Sequence, residues 1–292
     1  MHARVFFPAR RASGMLAGAL VLLLISALFT GPAWAITGGE PDNGRHPNVG
    51  AVIFHNRATG GIGSASGTLV HPRVFLTAGH VVGMLESGQF TLLGVSFDQE
   101  INLQGVDPLD RSTWPTTWLP VSAVVGTFTG FNANPKGIDI GAIILQESVT
   151  SVTLATLPAV GLLDDLKEDH QLKGGPDATR FTVVGYGMLL DWPPPEAFWP
   201  DTRMRNTAQS GYHALNDAWL FLNQNLAQGY GGTARGDSGG PTFLTDPETG
   251  QEVLVSITSW GDVPFVATGI TYRIDTAESL QFIQDVIDSV EE

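Results

Sequence analysis

From Ile36 to about residue 275 the chain shows no apolar repeat at three- and four-residue steps. Short β-branched and aromatic runs alternate instead with Gly, Pro and Asp turns. ASGTLVHPRVFLTAGHV (65–81) reads as two strands around a His-Pro turn, and further runs lie at 90–97, 121–131, 138–145, 180–187, 217–225, 241–245 and 251–260. Asp246 to Gly250 is a turn sequence that joins the last two as a hairpin. Only TAESLQFIQDVIDSV is periodic in the helical sense: Leu280, Ile283, Val286, Ile287 and Val290 share a face, and Thr276 can cap the start. The expected fold is all-β with one terminal helix. Composition agrees, since 35 Gly and 18 Pro with only 15% charged residues favour strands and turns, and 43% apolar content in 292 residues supplies a substantial core. Segment 154–163 is the expected crossing between two halves, and 104–118 and DWPPPEAFWP (191–200) read as loops beside the cleft.

Residues 1–35 are different in kind. Arg4, Arg10 and Arg11 precede an apolar run from Met15 to Phe29, and Ala33-Trp34-Ala35 is a small-x-small cleavage signal. That is the layout of a secretory signal peptide, and the run is short of the roughly 18–20 residues that a membrane anchor needs. Its removal takes away three positive charges and no negative ones, so the net charge moves from −14 to −17. A strongly negative chain repels phosphate backbones and anionic lipid, so neither nucleic acid nor a membrane surface is an expected partner once the signal is removed. With no cysteine there are no disulfides, thiolate metal sites or cysteine nucleophiles. The expectation is an exported bacterial protein, extracellular or periplasmic, held by its core alone.

TARGDSGGP (233–241) sets Ser238 among small residues, as a nucleophile requires. Gly236-Asp237-Ser238-Gly239-Gly240 also fits G-x-S-x-G, the nucleophile elbow of α/β-hydrolases, but there the base histidine follows the serine. All seven histidines here precede Ser238, and the body is strand-rich. Upstream, His80 ends the apolar run VFLTAGH beside small residues, and Asp139 is an aspartate set into the apolar strand GIDIGAIIL. A buried carboxylate is costly unless paired, so Asp139 is the candidate to orient the imidazole.

The order His80, Asp139, Ser238, with these motifs, resembles the chymotrypsin-like (trypsin-family) serine peptidases. The resemblance covers nearly all of the chain after residue 35. ITGGE (36–40) is similar to the family's Ile-Val-Gly-Gly start, and SGTLVHPRVFLTAGHV and GIDIGAIIL to its histidine and aspartate regions. VVGYG, GDSGGP and ITSWG are similar to its Gly-Trp-Gly strand, serine motif and Ser-Trp-Gly edge. Two departures are Gly79 for the usual alanine and Val81 for the usual cysteine. The resemblance implies two six-stranded antiparallel β-barrels, 36–158 carrying His80 and Asp139 and 159–275 carrying Ser238, with a helix at 276–292 packed back on them. It implies that Ser238 attacks a peptide carbonyl to form an acyl-enzyme, that His80 moves the proton, and that Asp139, supported by Ser259, fixes the imidazole. The N–H groups of Gly236 and Ser238 would form the oxyanion hole. Asp237 would pair with the ammonium of Ile36, which cleavage after Ala35 would create without any further propeptide.

For substrate, the resemblance places Gly232 at the base of the specificity pocket, Gly261 and Gly269 at its walls and Thr233 beside them, with Ser259, Trp260 and Gly261 as the edge for an extended peptide. No acid sits at the base, so a preference for Arg or Lys is not expected; glycine walls suggest an apolar side chain. The expected partners are polypeptide substrates of a monomeric secreted endopeptidase with no cofactor or metal. Two other readings use the same residues: a non-catalytic binding protein on a peptidase scaffold, and an esterase.

Overall fold

The computed structural model describes residues 36–190, 197–198, 202–247 and 249–291. Residues 1–35, expected to be a signal sequence, and most of 191–200, expected to be a loop, lie outside them. Twelve principal strands form two antiparallel sheets. The first holds β1 (Val49–Asn56), β2 (Ile62–His71), β3 (Val74–Thr77), β4 (Phe90–Ser96), β5 (Val121–Phe128) and β6 (Asp139–Leu145) in the order β4-β1-β2-β3-β6-β5. The second holds β7 (Arg180–Gly185), β8 (Asn206–Leu215), β9 (Trp219–Asn223), β10 (Pro241–Thr245), β11 (Glu252–Gly261) and β12 (Thr268–Arg273) in the order β8-β9-β12-β11-β10-β7, and a β7–β8 pairing closes it into a barrel. Renumbered within each half, both sheets follow the circular order 1-2-3-6-5-4. The first sheet curls without full closure: its edges meet at one bridge, Val95 with Leu119, where the Leu119 N–H donates to the Val95 carbonyl at 2.7 Å.

The apolar runs explain where each sheet closes on itself. β1 is buried along nearly its whole length, so its Val, Ile and Phe side chains are covered on both faces. β5 alternates and leaves every second residue outside. Phe181, Val183, Leu220, Leu222 and Val255 fill the second barrel. The core of the first, built on Val52, Leu69, Phe75, Leu76 and Ile143, continues across to Tyr186, Trp219 and Tyr272 of the second half. Each such side chain contributes roughly 1.5–3 kcal/mol, and the shared core joins the halves in one compact unit.

Among the described residues three α-helices accompany the sheets: α1 (Gly79–Glu86), α2 (Leu162–Glu168) and α3 (Ala277–Glu291). The last begins where its periodicity predicts. Thr276 caps it, its Oγ1 accepting from the Ser279 N–H at 3.2 Å, and Ile283 and Val286 pack into the core of the first barrel. The other two correct the expectation of a single helix. Each is under nine residues, too short to repeat an apolar face. The expectation that residues 36–158 all belong to the first barrel needs adjusting as well. Glu40 and Pro41 pair with Thr207 and Asn206 of β8, and Thr37 pairs with Gly232, so the first six described residues are bound to the second sheet.

Candidate active site

His80 and Asp139 are brought together by the first sheet. β3 ends at Thr77, the chain turns into α1 at Gly79, and Asp139 opens β6, which pairs with β3. The side chain of Asp139 is fully buried. One oxygen, Oδ1, accepts the His80 backbone N–H at 2.8 Å, and Oδ2 meets His80 Nδ1 at 2.9 Å and accepts from the Ser259 hydroxyl. A carboxylate held by three donors is satisfied despite its burial. Because Oδ2 faces Nδ1, the proton of a neutral imidazole sits there and Nε2 is left as the acceptor. His80 retains some solvent exposure, with a side-chain accessibility of 15%. Phe128 and Phe131 flank its ring, with centroids 5.7 and 5.0 Å away, and Trp260 lies 6.1 Å beyond Phe131.

Ser238 comes from the second half, on the turn that leads into β10. Its carbonyl accepts the Ser66 N–H at 2.9 Å, which ties the turn to β2. Gly239 has φ +79°, and a Cβ there would collide with Oγ1 of Thr77 and lie 2.7 Å from the Ala78 nitrogen. The serine turn thus rests against the strand end that carries His80. Among the described residues no hydrogen bond joins Nε2 of His80 to Oγ of Ser238.

Gly236 has φ +95°, a conformation that only glycine adopts freely. Its carbonyl accepts the Ser66 hydroxyl at 3.0 Å, and the same hydroxyl accepts the Tyr186 N–H at 2.9 Å. The N–H groups of Gly236 and Ser238 donate to nothing among the described residues, whereas Asp237, Gly239 and Gly240 between and after them all find carbonyls. Two unspent amides in one tight turn can receive an anionic oxygen. Ser66, which the sequence reading passed over, holds this turn from the other half. No sequence signal distinguishes it within SASGT.

Asp237 is fully buried. Its oxygens accept the N–H groups of Gly187 and Ala234, both at 2.8 Å, and burial pushes its carboxyl up to about 7 against those two bonds. The ion pair expected with Ile36 is absent from the uncut chain, because there the Ile36 nitrogen is a peptide amide rather than an ammonium. Ile36 is nevertheless completely buried in the core of the second barrel, one residue from the Thr37–Gly232 bridge.

Gly232, Thr233, Gly261 and Gly269 come together at the facing ends of β9, β11 and β12, where Gly261 pairs with Gly269. A residue not singled out from sequence also stands there. Gln224 is buried, and a Cβ on Gly232 would overlap its side-chain oxygen. Trp114 and Trp118 of the loop 104–118 pack on the core of the first barrel, with Trp118 against Gly94 of β4.

No family model matches the chain, and no curated protein matches it in sequence. Solved structures do match in shape. A scabies mite inactivated protease paralogue superposes with a TM-score of 0.53 at 18% identity, covering 86% of this chain and 99% of its own. Coverage of that extent, with two six-stranded antiparallel halves and a C-terminal helix, makes this a chymotrypsin-like double-barrel fold.

Proposed function

We propose that the protein is a secreted serine endopeptidase in which Ser238 is the nucleophile, His80 the general base and then acid, and Asp139 the group that orients the imidazole. The observation that carries the reading is the fully satisfied Asp139 carboxylate, which leaves His80 Nε2 as an acceptor beside a turn with two unspent amides. Attack by Oγ on a peptide carbonyl passes the hydroxyl proton to Nε2 and charge to the carbonyl oxygen. The N–H groups of Gly236 and Ser238 then stabilise that oxygen, a contribution of about 3–4 kcal/mol per donor in comparable sites. His80 returns the proton to the leaving amine, and water repeats the sequence to release the acyl group. Trp260 and the flanking Phe131 offer an apolar surface beside the reacting centre for the residues that precede the cut.

Cleavage after Ala35 would convert the Ile36 nitrogen into an ammonium. Ile36 has φ +72°, a conformation that costs a β-branched residue about 1–3 kcal/mol. Cutting the preceding bond removes that constraint, and the buried Asp237 carboxyl is the acid that lacks a cation. These features support activation by signal removal itself.

The competing reading is a non-catalytic scaffold. It is favoured by the lack of an Nε2–Oγ hydrogen bond among the described residues and by a structural neighbour that is an inactivated paralogue. A fluorophosphonate probe decides between them: the exported protein is expected to label at Ser238, and the Ser238→Ala variant not at all. An unlabelled wild-type protein that also leaves denatured protein substrates uncut would overturn the peptidase reading.

A further inference from the structure

We propose that Ser66 is a positioning residue for the oxyanion site: its hydroxyl, carried by the first sheet, holds Gly236 in the conformation that leaves the N–H groups of Gly236 and Ser238 open to the reacting carbonyl. The inference rests on the peptidase reading above.

Ser66 lies in β2 and is fully buried. Its N–H donates to the Ser238 carbonyl at 2.9 Å, and its own carbonyl accepts the hydroxyl of Thr77, the last residue of β3, at 2.8 Å. Its hydroxyl stands between Tyr186 and Gly236, 2.9 Å from the nitrogen of the first and 3.0 Å from the carbonyl oxygen of the second. An N–H can only donate and a carbonyl can only accept, so the single hydroxyl proton points at Gly236.

Gly236 depends on that bond. Neither its N–H nor its carbonyl has another partner among the described residues. With φ +95° and no Cβ it is also the residue of the turn most free to rotate. The peptide planes on either side are held from the second half. The Met188 N–H donates to the Arg235 carbonyl at 2.6 Å and the Gly240 N–H to the Asp237 carbonyl at 2.8 Å. In a trans peptide the N–H points away from the carbonyl, so these two bonds leave the amides of Gly236 and Ser238 facing the opposite way. The plane between Gly236 and Asp237 is different. Within the second half it keeps only the bond from the Asp237 N–H to the Ala234 carbonyl, at 3.2 Å. Ser66 fixes its other end. Gly236 is partly exposed, so without the hydroxyl its carbonyl can turn to water and the turn can swing the two amides out of line with the Ser238 hydroxyl. The loss falls on charge that develops during attack, because His80 is held separately by Asp139.

The test compares fluorophosphonate labelling rates of the wild-type protein, Ser66→Ala, Ser66→Cys and Ser279→Ala, each below its denaturation midpoint and across pH 5 to 9. Ser279 is the matched control: a buried hydroxyl at the start of α3 that donates to a main-chain carbonyl, that of Arg273, at 2.8 Å. Ser66→Cys keeps a weak donor and decides the matter where the alanine variant does not fold. Ser66→Ala is expected to label about 10- to 100-fold more slowly and Ser66→Cys about threefold or more, with Ser279→Ala at the wild-type rate. The shape of the pH profile should not change, since Ser66 touches neither His80 nor Asp139. A folded Ser66→Ala that labels at the wild-type rate, or in its absence a Ser66→Cys that does, overturns the role of Ser66 alone. So does an equal slowing of Ser279→Ala, or a loss that comes with an altered pH profile. A wild-type protein that does not label overturns the peptidase reading and this inference with it.

Discussion

Gly79 stands where the resembling peptidases carry alanine, and the backbone around it gives the reason. A Cβ on this residue would collide with the carbonyl of Thr127 in β5 and lie 2.9 Å from that of Ile140 in β6. Both obstacles are main chain and cannot swing aside. Gly79→Ala should therefore push α1 away from β6 and stretch the two bonds from His80 to Asp139. Overpacking of this kind costs about 1–3 kcal/mol. The expected outcome is a lower denaturation midpoint together with a fall in the rate of Ser238 labelling. A variant with an unchanged midpoint and an unchanged labelling rate would show that the strands yield. At this scale His80, Asp139 and Ser238 could be singled out because each stands out from its surroundings: a histidine at a strand end, an aspartate inside an apolar strand, a serine in a glycine turn; Ser259 came only through the resemblance. Gln224 and Ser66 were not, because what distinguishes them is a neighbour distant in sequence.

Elements marked by a turn or cap signal were legible, whereas β1 and β12 were passed over although VGAVIFHN is apolar. The hairpin of β10 and β11 and the capped α3 follow from their residues, as does the pair β2 and β3 around its His-Pro turn. β8 escaped notice because NTAQSGYHAL reads as polar, yet nearly all of it is buried between β7 and β9. Some of its polar side chains find partners there: the Ser210 hydroxyl donates to the Gly231 carbonyl at 2.7 Å and the Gln209 amide to the Thr182 hydroxyl at 2.8 Å, whereas the Thr207 hydroxyl is buried without one. The clamp on the N-terminal segment was equally silent. His46 is buried, with Nδ1 against Asp42 and Nε2 at 2.9 Å from Glu252 of β11, and Arg205 donates to Asp42 at 2.9 Å. Burial opposes charge on His46, but its bonds to Asp42 and Glu252 outweigh that and raise it to about 9, while Asp42 is lowered to about 2. A raised histidine contributes stability that is complete below its unfolded value of 6.5 and is lost as pH rises through about 9. Replacing His46 with Gln should cost about 3 kcal/mol at pH 6 and much less at pH 10. Urea denaturation of both proteins at the two pH values checks this, and a pH-independent difference would contradict the charged clamp.

Across the whole molecule, the two halves repeat one strand order but contribute unevenly to the proposed site: the first carries the imidazole and its carboxylate, the second the serine and the two unspent amides. The segment that begins at Ile36 is paired with the second sheet, and under the proposed activation the covalent state of the chain at Ala35–Ile36 acts on the serine turn. On that proposal Asp237 reports the state. In the uncut chain its carboxyl is raised from 3.8 to about 7 by burial. An acid raised in this way keeps its proton in the folded protein while the unfolded chain gives it up, so stability falls as pH climbs from about 4 through about 7 and stays lower above it, by about 4 kcal/mol. An Ile36 ammonium would pair with the carboxylate and remove most of that loss. Denaturation should be followed at pH 5 and pH 8 for three proteins: one with the Ala35–Ile36 bond intact, one beginning at Ile36, and an intact Asp237→Asn control. The intact chain is expected to weaken sharply between the two pH values relative to the control, and the chain beginning at Ile36 only slightly. Equal losses in the intact and cut proteins would mean that Ile36 does not reach Asp237, and activation by signal removal would fall with it.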